Sequence, residues 1–596
     1  MASQTETSMS GARIRETVTS YASRTAIVVG AITVLALALR LFALGARVAH
    51  QDEARVAYWA YRLMETGVNW YRPYTHGPFL TTVNSWIFEW FGATDFTMRV
   101  VVAVLSGLFP LTALLFRERL RESETILMAL FLALNPLLLY FSRFYRNDVL
   151  LAGFMLAAFG FFVRAYDTRR PAYLFAGTAI FALAFTTKEN ALVYPVCWAG
   201  AAFLLWDRRM LFQRAGERGV FSAVWDSAAG IARGLFDWAH YFALAVVEFF
   251  AIIVFFYAPR GDASQVPKPT LGQTMSDPTL FPALVEEATI GSWHRFTGVW
   301  GGGNQESYLG AAKALWPAFQ EGAIFLFALA IIGFVVDRYT GDSPRDVVEF
   351  TFLWGAFSIL GYPVIVDNPF PWEPIHAIVP LVVPAAVGLA LVVRLGLDSI
   401  ADGDALSATA AALVVLVLAA QVGATAVNTS YMNPQDPDNE FVQYAQSSSD
   451  MKPLLSEMQT VIESNPSSRI DVMYYGRGPD DTRGSDDLYA PDPNSHLEPH
   501  AGDGWFARLP FAWYLETYEA QVDSAEDPQI LRDTKPPVVI AYGNVSTCDK
   551  EYDSASDIDQ FMDGYERHEV QRYNYDSGCT VSTMVIYINE DATSSE

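Results

Sequence analysis

Residues 25–45 read TAIVVGAITVLALALRLFALG, twenty-one positions with a single charge, at Arg40. Wound as an α-helix at about 1.5 Å per residue, this run is long enough to cross a hydrocarbon core of roughly 30 Å. No A-x-A-like cleavage site follows it, so it reads as a retained membrane helix and not as a removable leader. Ten further apolar runs follow, near residues 98–116, 125–141, 149–165, 172–186, 190–206, 239–258, 321–337, 347–366, 374–394 and 406–428. The expected class is therefore an α-helical polytopic membrane protein of about eleven helices (residues 25–430), preceded by a polar tail (1–24) and followed by a soluble domain (431–596).

Charge separates these parts. The net charge is −25, and residues 431–596 carry −22 of it, with 32 acidic and 10 basic side chains. Such an excess of acid excludes nucleic acid as a partner and fits a heavily solvated surface of the kind halophiles use. Within the membrane part the basic short loops are RERLRESE (117–124), YDTRRP (166–171) and DRRMLFQRAGERG (207–219), and the more nearly neutral DRYTGDSPRD (337–346) lies on the same side. Basic loops stay cytoplasmic, so the N-terminus is expected inside. The connections 46–97, 142–148, 187–189, 259–320 and 367–373 and the acidic domain are then expected outside. Cys548 and Cys579 both fall in that domain, where an oxidising compartment favours a disulfide, whereas Cys197 sits in an apolar run.

The acidic domain alternates strand and helix signals. RIDVMYY (469–475), PPVVIAYG (536–543) and TVSTMVIYIN (580–589) read as strands, and residues 441–465 and 505–516 as helices, the second broken at Pro510. This predicts a small α/β domain. Residues 220–238 read as an amphipathic helix lying in the membrane surface. The long connection 259–312, which ends in GSWHRFTGVWGGGNQESY, reads as a mobile, partly membrane-seated loop over a site.

The chemistry gathers in the expected outer connections. HQDEARVAYWAYRLMETG (50–67) places Asp52 and Glu53 side by side at the edge of the hydrocarbon, where charge is costly and points to function. Asp52 also suits the N-cap of a helix expected over Glu53–Glu65. FSRFYRNDVLL (141–151) contributes Arg143, Arg146 and Asp148, and AFTTKENALVYP (184–195) contributes Lys188 and Glu189. Short loops hold these charges near the bilayer surface, at the depth of a lipid phosphate. Arginine grips a phosphate with two hydrogen bonds and lysine with a compact charge. The set His50, Asp52, Glu53 and His76 has the ligand chemistry for a divalent cation, but adjacent acids make a poor cage, so a divalent cation is the lesser reading and no other cofactor is expected.

These stretches resemble the GT-C glycosyltransferases, in particular the dolichyl-phosphate-mannose–protein mannosyltransferases and aminoarabinose transferases. More narrowly, the layout resembles an archaeal flippase-activity-associated membrane protein family. HQDEARVAYWAYRLMETG resembles the first outer loop of GT-C enzymes, which puts the catalytic acid on Asp52 with Glu53 beside it. THGPFL resembles their His-Pro-Pro-Leu stretch, bringing in His76 and Pro78. SRFYRNDVLL resembles the second acidic segment, with Asp148 and Arg146, and TTKENALVYP the stretch carrying Lys188. VDNPFPWEPIHAIVPLVVP (366–384) departs from the pattern, since no lysine precedes its Pro-Trp, and the Gly and Pro usual after Lys188 are absent.

The resemblance implies an inverting hexosyltransferase that moves a sugar from a polyprenyl-phosphate donor to a lipid-linked glycan or surface glycoprotein. Asp52 and Glu53 are then catalytic, and Arg143, Arg146 and Lys188 bind the donor phosphate. His76, Asp148 and Glu189 support them. A protein that only helps a lipid-linked sugar cross the bilayer would use the same phosphate-binding residues without a base.

Overall fold

The computed structural model describes residues 24–214, 220–262, 264, 266–301, 307–340, 344–365, 369–466, 469–476, 488–489, 505–543, 553–576 and 579–589. Helix α1 (Arg24–Leu41) leads into α2 (Gln51–Thr66), α3 (Phe79–Phe91) and α4 (Asp95–Gly107), which continues as a tighter 3₁₀ turn to Phe116. Then come α5 (Glu122–Leu134), α6 (Pro136–Phe141), α7 (Asp148–Thr168), α8 (Pro171–Phe185), α9 (Val193–Arg214), α10 (Val220–Asp237) and α11 (Ala239–Tyr257). Three short helices follow, α12 (Leu271–Ser276), α13 (Phe281–Glu286) and α14 (Ser292–Trp300). Four long ones come next: α15 (Tyr308–Tyr339), α16 (Asp346–Ile365), α17 (Ile375–Ala401) and α18 (Ala405–Val427).

Among the described residues, eight helices are long and apolar enough to cross a membrane: α1, α4 with its extension, α7, α11, α15, α16, α17 and α18. The other three expected runs are helical but fall short of that length or apolarity. The run at 125–141 is split into α5 and α6 at Asn135–Pro136. There the Asn135 side chain accepts from the Leu138 N–H and donates to the Gly322 carbonyl (2.7 Å). The run at 172–186 is α8, of 15 residues. The run at 190–206 becomes α9, which ends among Asp207, Arg208, Arg209 and Arg214.

α17 is the central helix. Val379, Leu381, Val382, Val383, Ala385 and Ala386 are all buried in the main core. It meets α15 backbone to backbone. A Cβ on Gly333 would fall 1.9 Å from the Pro384 carbonyl oxygen, and one on Gly388 would fall 2.1 Å from that of Leu329. Close approach through small residues is how helices gain packing where lipid supplies no hydrophobic drive.

The soluble domain is a six-stranded sheet in the order β1-β5-β6-β4-β2-β3. The strands are β1 (Gln446–Ser447), β2 (Val472–Tyr475), β3 (Val522–Ala525), β4 (Val538–Tyr542), β5 (Glu566–Asp576) and β6 (Cys579–Ile588). β2 runs parallel to β3 and β4, and the other pairs are antiparallel. The helix expected over 441–465 begins only at Met451. Before it, Gln446 and Ser447 pair with Tyr573 and Arg572 of β5, and the Ser-Ser-Ser-Asp run favours turns over helix. The helix expected over 505–516 is two helices flanking Pro510, Trp505–Arg508 and Phe511–Thr517. The connection expected as a mobile loop over 259–312 is largely helical, as α12 to α14. The polar tail up to residue 23, Cys548 and the side chain of Cys579 lie outside the described residues, as do Asp367 and Asn368. Cys197 is buried and free.

The domain is anchored on α2 and α3. Trp513 packs against Tyr61 and Phe88, and Arg62 pairs with Glu516 at 2.9 Å. Tyr514 accepts from the Ala49 N–H (2.8 Å) and donates to Asp95 (2.9 Å), which also pairs with Lys452.

Candidate active site

The five connections expected on one face meet in a single cluster, and the start of α2 organises it. His50 is the N-cap. Its Nδ1 accepts from the Asp52 N–H (3.0 Å), and its Nε2–H donates to the Tyr444 carbonyl (2.5 Å). Glu53 reaches back to the His50 N–H (2.9 Å) to close a capping box. One residue apart on a helix, Asp52 and Glu53 point to different surroundings.

Glu53 faces inward and is fully buried. Arg47 and Arg99 both grip it, Arg99 at 2.8 and 2.9 Å, and the Tyr145 N–H donates to it at 2.7 Å. Burial favours the neutral acid, but the two guanidiniums outweigh it and hold the carboxyl well below its usual range. Glu53 thereby fixes the loop that carries Arg146.

Asp52 faces the cluster. Arg55 pairs with Oδ1 at 2.8 Å, Arg146 pairs with Oδ2, and the Tyr444 hydroxyl donates to Oδ1 at 3.0 Å. Here too burial is outweighed, by Arg55 and then Arg146, and the carboxyl stays ionised. Arg146 lies over the Trp372 ring (3.5 Å) and donates to the Gln443 side chain (2.9 Å). Its Nε is 3.5 Å from Asp148.

Lys188 extends the chain of charges. Its Nζ lies 2.6 Å from Asp148 and 3.5 Å from Glu373. Burial would discharge it, but Asp148 and Glu373 hold its pKa above the usual value. His376 completes the group, 3.4 Å from Asp148 and bonded through Nδ1 to the Tyr194 hydroxyl (2.6 Å). Asp148, Glu373 and His376 are the described buried residues whose ligand atoms lie close enough to share a cation, and the Lys188 ammonium sits among them. The set His50, Asp52, Glu53 and His76 does not converge, because arginines hold both acids and His76 faces Glu189.

His76 and Glu189 form a neighbouring pair. His76 Nδ1 is 3.1 Å from Glu189, which also accepts from the Tyr71 hydroxyl (2.5 Å). Gly77 makes this possible. Its N–H bonds to the Thr187 carbonyl (3.0 Å), and a Cβ there would lie 2.3 Å from the Thr186 oxygen. His76 itself holds a left-handed φ of 61°. The Trp300 ring stacks over it, with centroids 6.3 Å apart, so the 259–312 connection does cover this part of the site.

Arg143 is not in the cluster. Its guanidinium donates to the carbonyls of Leu39, Arg40, Phe42 and Ala43, closing the end of α1. Six residues that the sequence pattern did not single out are there: Arg55, Trp372, Glu373, His376, Gln443 and Tyr444. Arg55 was legible, three positions after Asp52 on the same helix face. The others come from distant segments and required the fold.

An apolar cavity of about 300 Å³ opens beside Lys188 and Glu189, walled by Phe185, Phe249, Phe250, Tyr257 and Phe296. Beside Asp52, the buried Arg146 Nε and Gln443 Nε2 have no hydrogen-bond partner among the described residues.

Residues 72–223 match the family described as dolichyl-phosphate-mannose-protein mannosyltransferase, and residues 451–589 match the Agl23 flippase-associated protein C-terminal domain. No curated protein sequence matches the chain. The fold is similar to that of ArnT from Cupriavidus metallidurans in the apo state. The TM-score is 0.51 at 14% identity, over 94% of this chain and 97% of that one. It is also similar to ArnT from the same organism bound to undecaprenyl phosphate, with TM-score 0.50, 14% identity and the same coverage. The chain thus has a GT-C-like fold similar to that of ArnT, with eight described helices able to cross a membrane, one segment that matches the dolichyl-phosphate-mannose-protein mannosyltransferase family and a C-terminal segment that matches the Agl23 flippase-associated domain.

Proposed function

We propose that the protein transfers a hexose from a polyprenyl-phosphate donor to a hydroxyl acceptor, a lipid-linked glycan or surface glycoprotein, on the outer face of the membrane. One observation supports this reading: Lys188 lines the apolar cavity and, through Asp148, adjoins the Arg146–Asp52 pair. An isoprenoid chain suits the cavity and its phosphate suits Lys188 and Arg146. The sugar then lies toward Asp52. The undecaprenyl phosphate held by the similarly folded ArnT supports a lipid of this class.

In the resting arrangement Asp52 is a weak base, because Arg55 and Arg146 stabilise its charge. A donor phosphate that draws Arg146 toward itself leaves Asp52 more basic. Asp52 then accepts the proton of the acceptor hydroxyl as its oxygen attacks the anomeric carbon. Attack from the side opposite the phosphate inverts that carbon, and polyprenyl phosphate leaves, its charge stabilised by Lys188 and Arg146. Glu53 is a positioning residue in this scheme, and Arg143 has no part in it. Glu189 lines the lipid cavity, and His76 holds Glu189 from behind.

The test is transfer from radiolabelled dolichyl-phosphate mannose to octyl α-mannoside by the purified protein in nanodiscs. Product from the wild type and none from Asp52→Asn supports the reading. The Agl23 flippase-associated match favours a second reading, in which the protein assists translocation of a lipid-linked sugar. Translocation of a fluorescent dolichyl-phosphate sugar in proteoliposomes that persists in Asp52→Asn, with no transfer by either protein, selects it.

A further inference from the structure

The segment that joins α18 to the soluble sheet passes directly over the cluster. From Asn439 to Ser447 it forms a strap, fixed at one end where the Asn439 side chain donates to the carbonyls of Thr429 (3.1 Å) and Asn433 (2.9 Å). At the other end Gln446 and Ser447 form β1 and pair with β5. Gln443 and Tyr444 lie between these anchors, Gln443 accepting from Arg146 and Tyr444 donating to Asp52. The Tyr444 ring stacks on Phe370 (centroids 5.1 Å apart), which stacks on Trp372 (4.4 Å), the ring beneath Arg146. The next residue, Ala445, is buried and sits at φ 53°. An alanine in the left-handed region is strained, and such strain persists only where surrounding contacts impose it.

The chemistry of the Tyr444 contact is specific. A hydroxyl donating to Oδ1 at 3.0 Å is the hydrogen bond that an acceptor hydroxyl must make before Asp52 can take its proton. Of the three side chains that reach that carboxylate among the described residues, Arg55 belongs to α2 itself and Arg146 to the 142–148 connection, where it lies over Trp372. Tyr444 alone arrives on the strap. We propose that Tyr444 occupies the acceptor-hydroxyl position in the resting protein, and that the strap, tethered to the soluble domain, lifts to admit the acceptor. The inference rests on the transferase reading for what replaces Tyr444. It makes the soluble domain a controller of access to Asp52.

Two measurements on the full chain in nanodiscs test it. Tyr444→Phe keeps the stack on Phe370 and removes only the competing hydroxyl. Its KM for octyl α-mannoside, with dolichyl-phosphate mannose as donor, should fall about fivefold, the equivalent of one ordinary hydrogen bond. A raised KM, or a lowered kcat at unchanged KM, would mean that Tyr444 serves the reaction and does not block it. The second measurement needs no turnover. Modification of Asp52 by a water-soluble carbodiimide, located by peptide mass spectrometry, should be several-fold faster in Tyr444→Ala than in the wild type. Equal rates overturn the proposal whatever the outcome of the transfer assay, and faster modification with no transfer by the wild type upholds the closure while sinking the transferase reading.

Discussion

Asp52 and Glu53 are consecutive on one helix, yet each is held by its own pair of arginines, Arg55 with Arg146 for the first and Arg47 with Arg99 for the second. The two acids therefore respond differently to loss of charge. Asp52→Asn keeps the size and removes the base, and Arg146 keeps Asp148 as a counter-charge, so turnover should fall by about a hundredfold or more at a smaller cost in stability than at Glu53. Glu53→Gln leaves two buried guanidiniums without a counter-charge. It should cost about 3–5 kcal/mol of stability and lower the yield of folded protein. Thermal unfolding beside a transfer assay separates the effects. Glu53→Gln as stable as wild type would show that Glu53 does not brace the fold.

The basic residues should divide in the same way. Arg146→Ala and Lys188→Ala should each weaken donor binding by roughly 1.5–3 kcal/mol, the worth of a hydrogen bond to a charged group. Arg143→Ala should leave the donor Kd unchanged and lower thermal stability, because its guanidinium closes the end of α1 and packs on the Tyr431 ring. Binding of a fluorescent polyprenyl phosphate to the three variants is the measurement. A donor defect in Arg143→Ala would return that residue to the phosphate site.

Much of this was legible from the chain. Long apolar runs need a membrane, and acids or bases stranded between them draw attention because they are costly there. Asp52, Arg146, Asp148 and Lys188 could therefore be found without coordinates. The division of labour between Asp52 and Glu53 could not, since it depends on which face of α2 meets Arg99, a residue 46 positions away. Arg143 misled for a related reason: a charge in a short loop can serve a helix end as well as a ligand. Glu373, Gln443 and Tyr444 carry no local signal at all, because only the packing of α17 and the strap onto the cluster gives them a role.

Gly77→Ala tests whether the backbone contact beneath His76 positions the Lys188 loop. The added Cβ would meet the Thr186 oxygen at 2.3 Å, so the two loops must separate. Overpacking of this kind costs about 1–3 kcal/mol. Because Thr186 and Thr187 lead directly into Lys188, donor binding should weaken along with stability. A variant that loses stability and binds donor normally would detach the contact from the site.

The last prediction concerns acid. Burial pushes His50 down to about 4 from its ordinary 6.5, so the native protein keeps a neutral imidazole where the unfolded chain takes up a proton. Between those values the unfolded state binds more protons. Stability therefore rises with pH across the window, is complete above about 6.5, and is lost as pH falls toward 4. At about 1.4 kcal/mol per pH unit the full loss is roughly 3 kcal/mol. The structural cause is direct. A protonated Nδ1 can no longer accept the Asp52 N–H, so the cap of α2 fails beside the carboxylate it positions. Asp52 and Glu53, whose native pKa values lie well below the usual range, lose their contribution at lower pH. His50→Asn retains a capping oxygen and does not titrate. Apparent Tm measured at intervals from pH 7 to pH 4 should fall more steeply for the wild type than for His50→Asn. Parallel curves would show that His50 is not the group whose protonation loosens the start of α2.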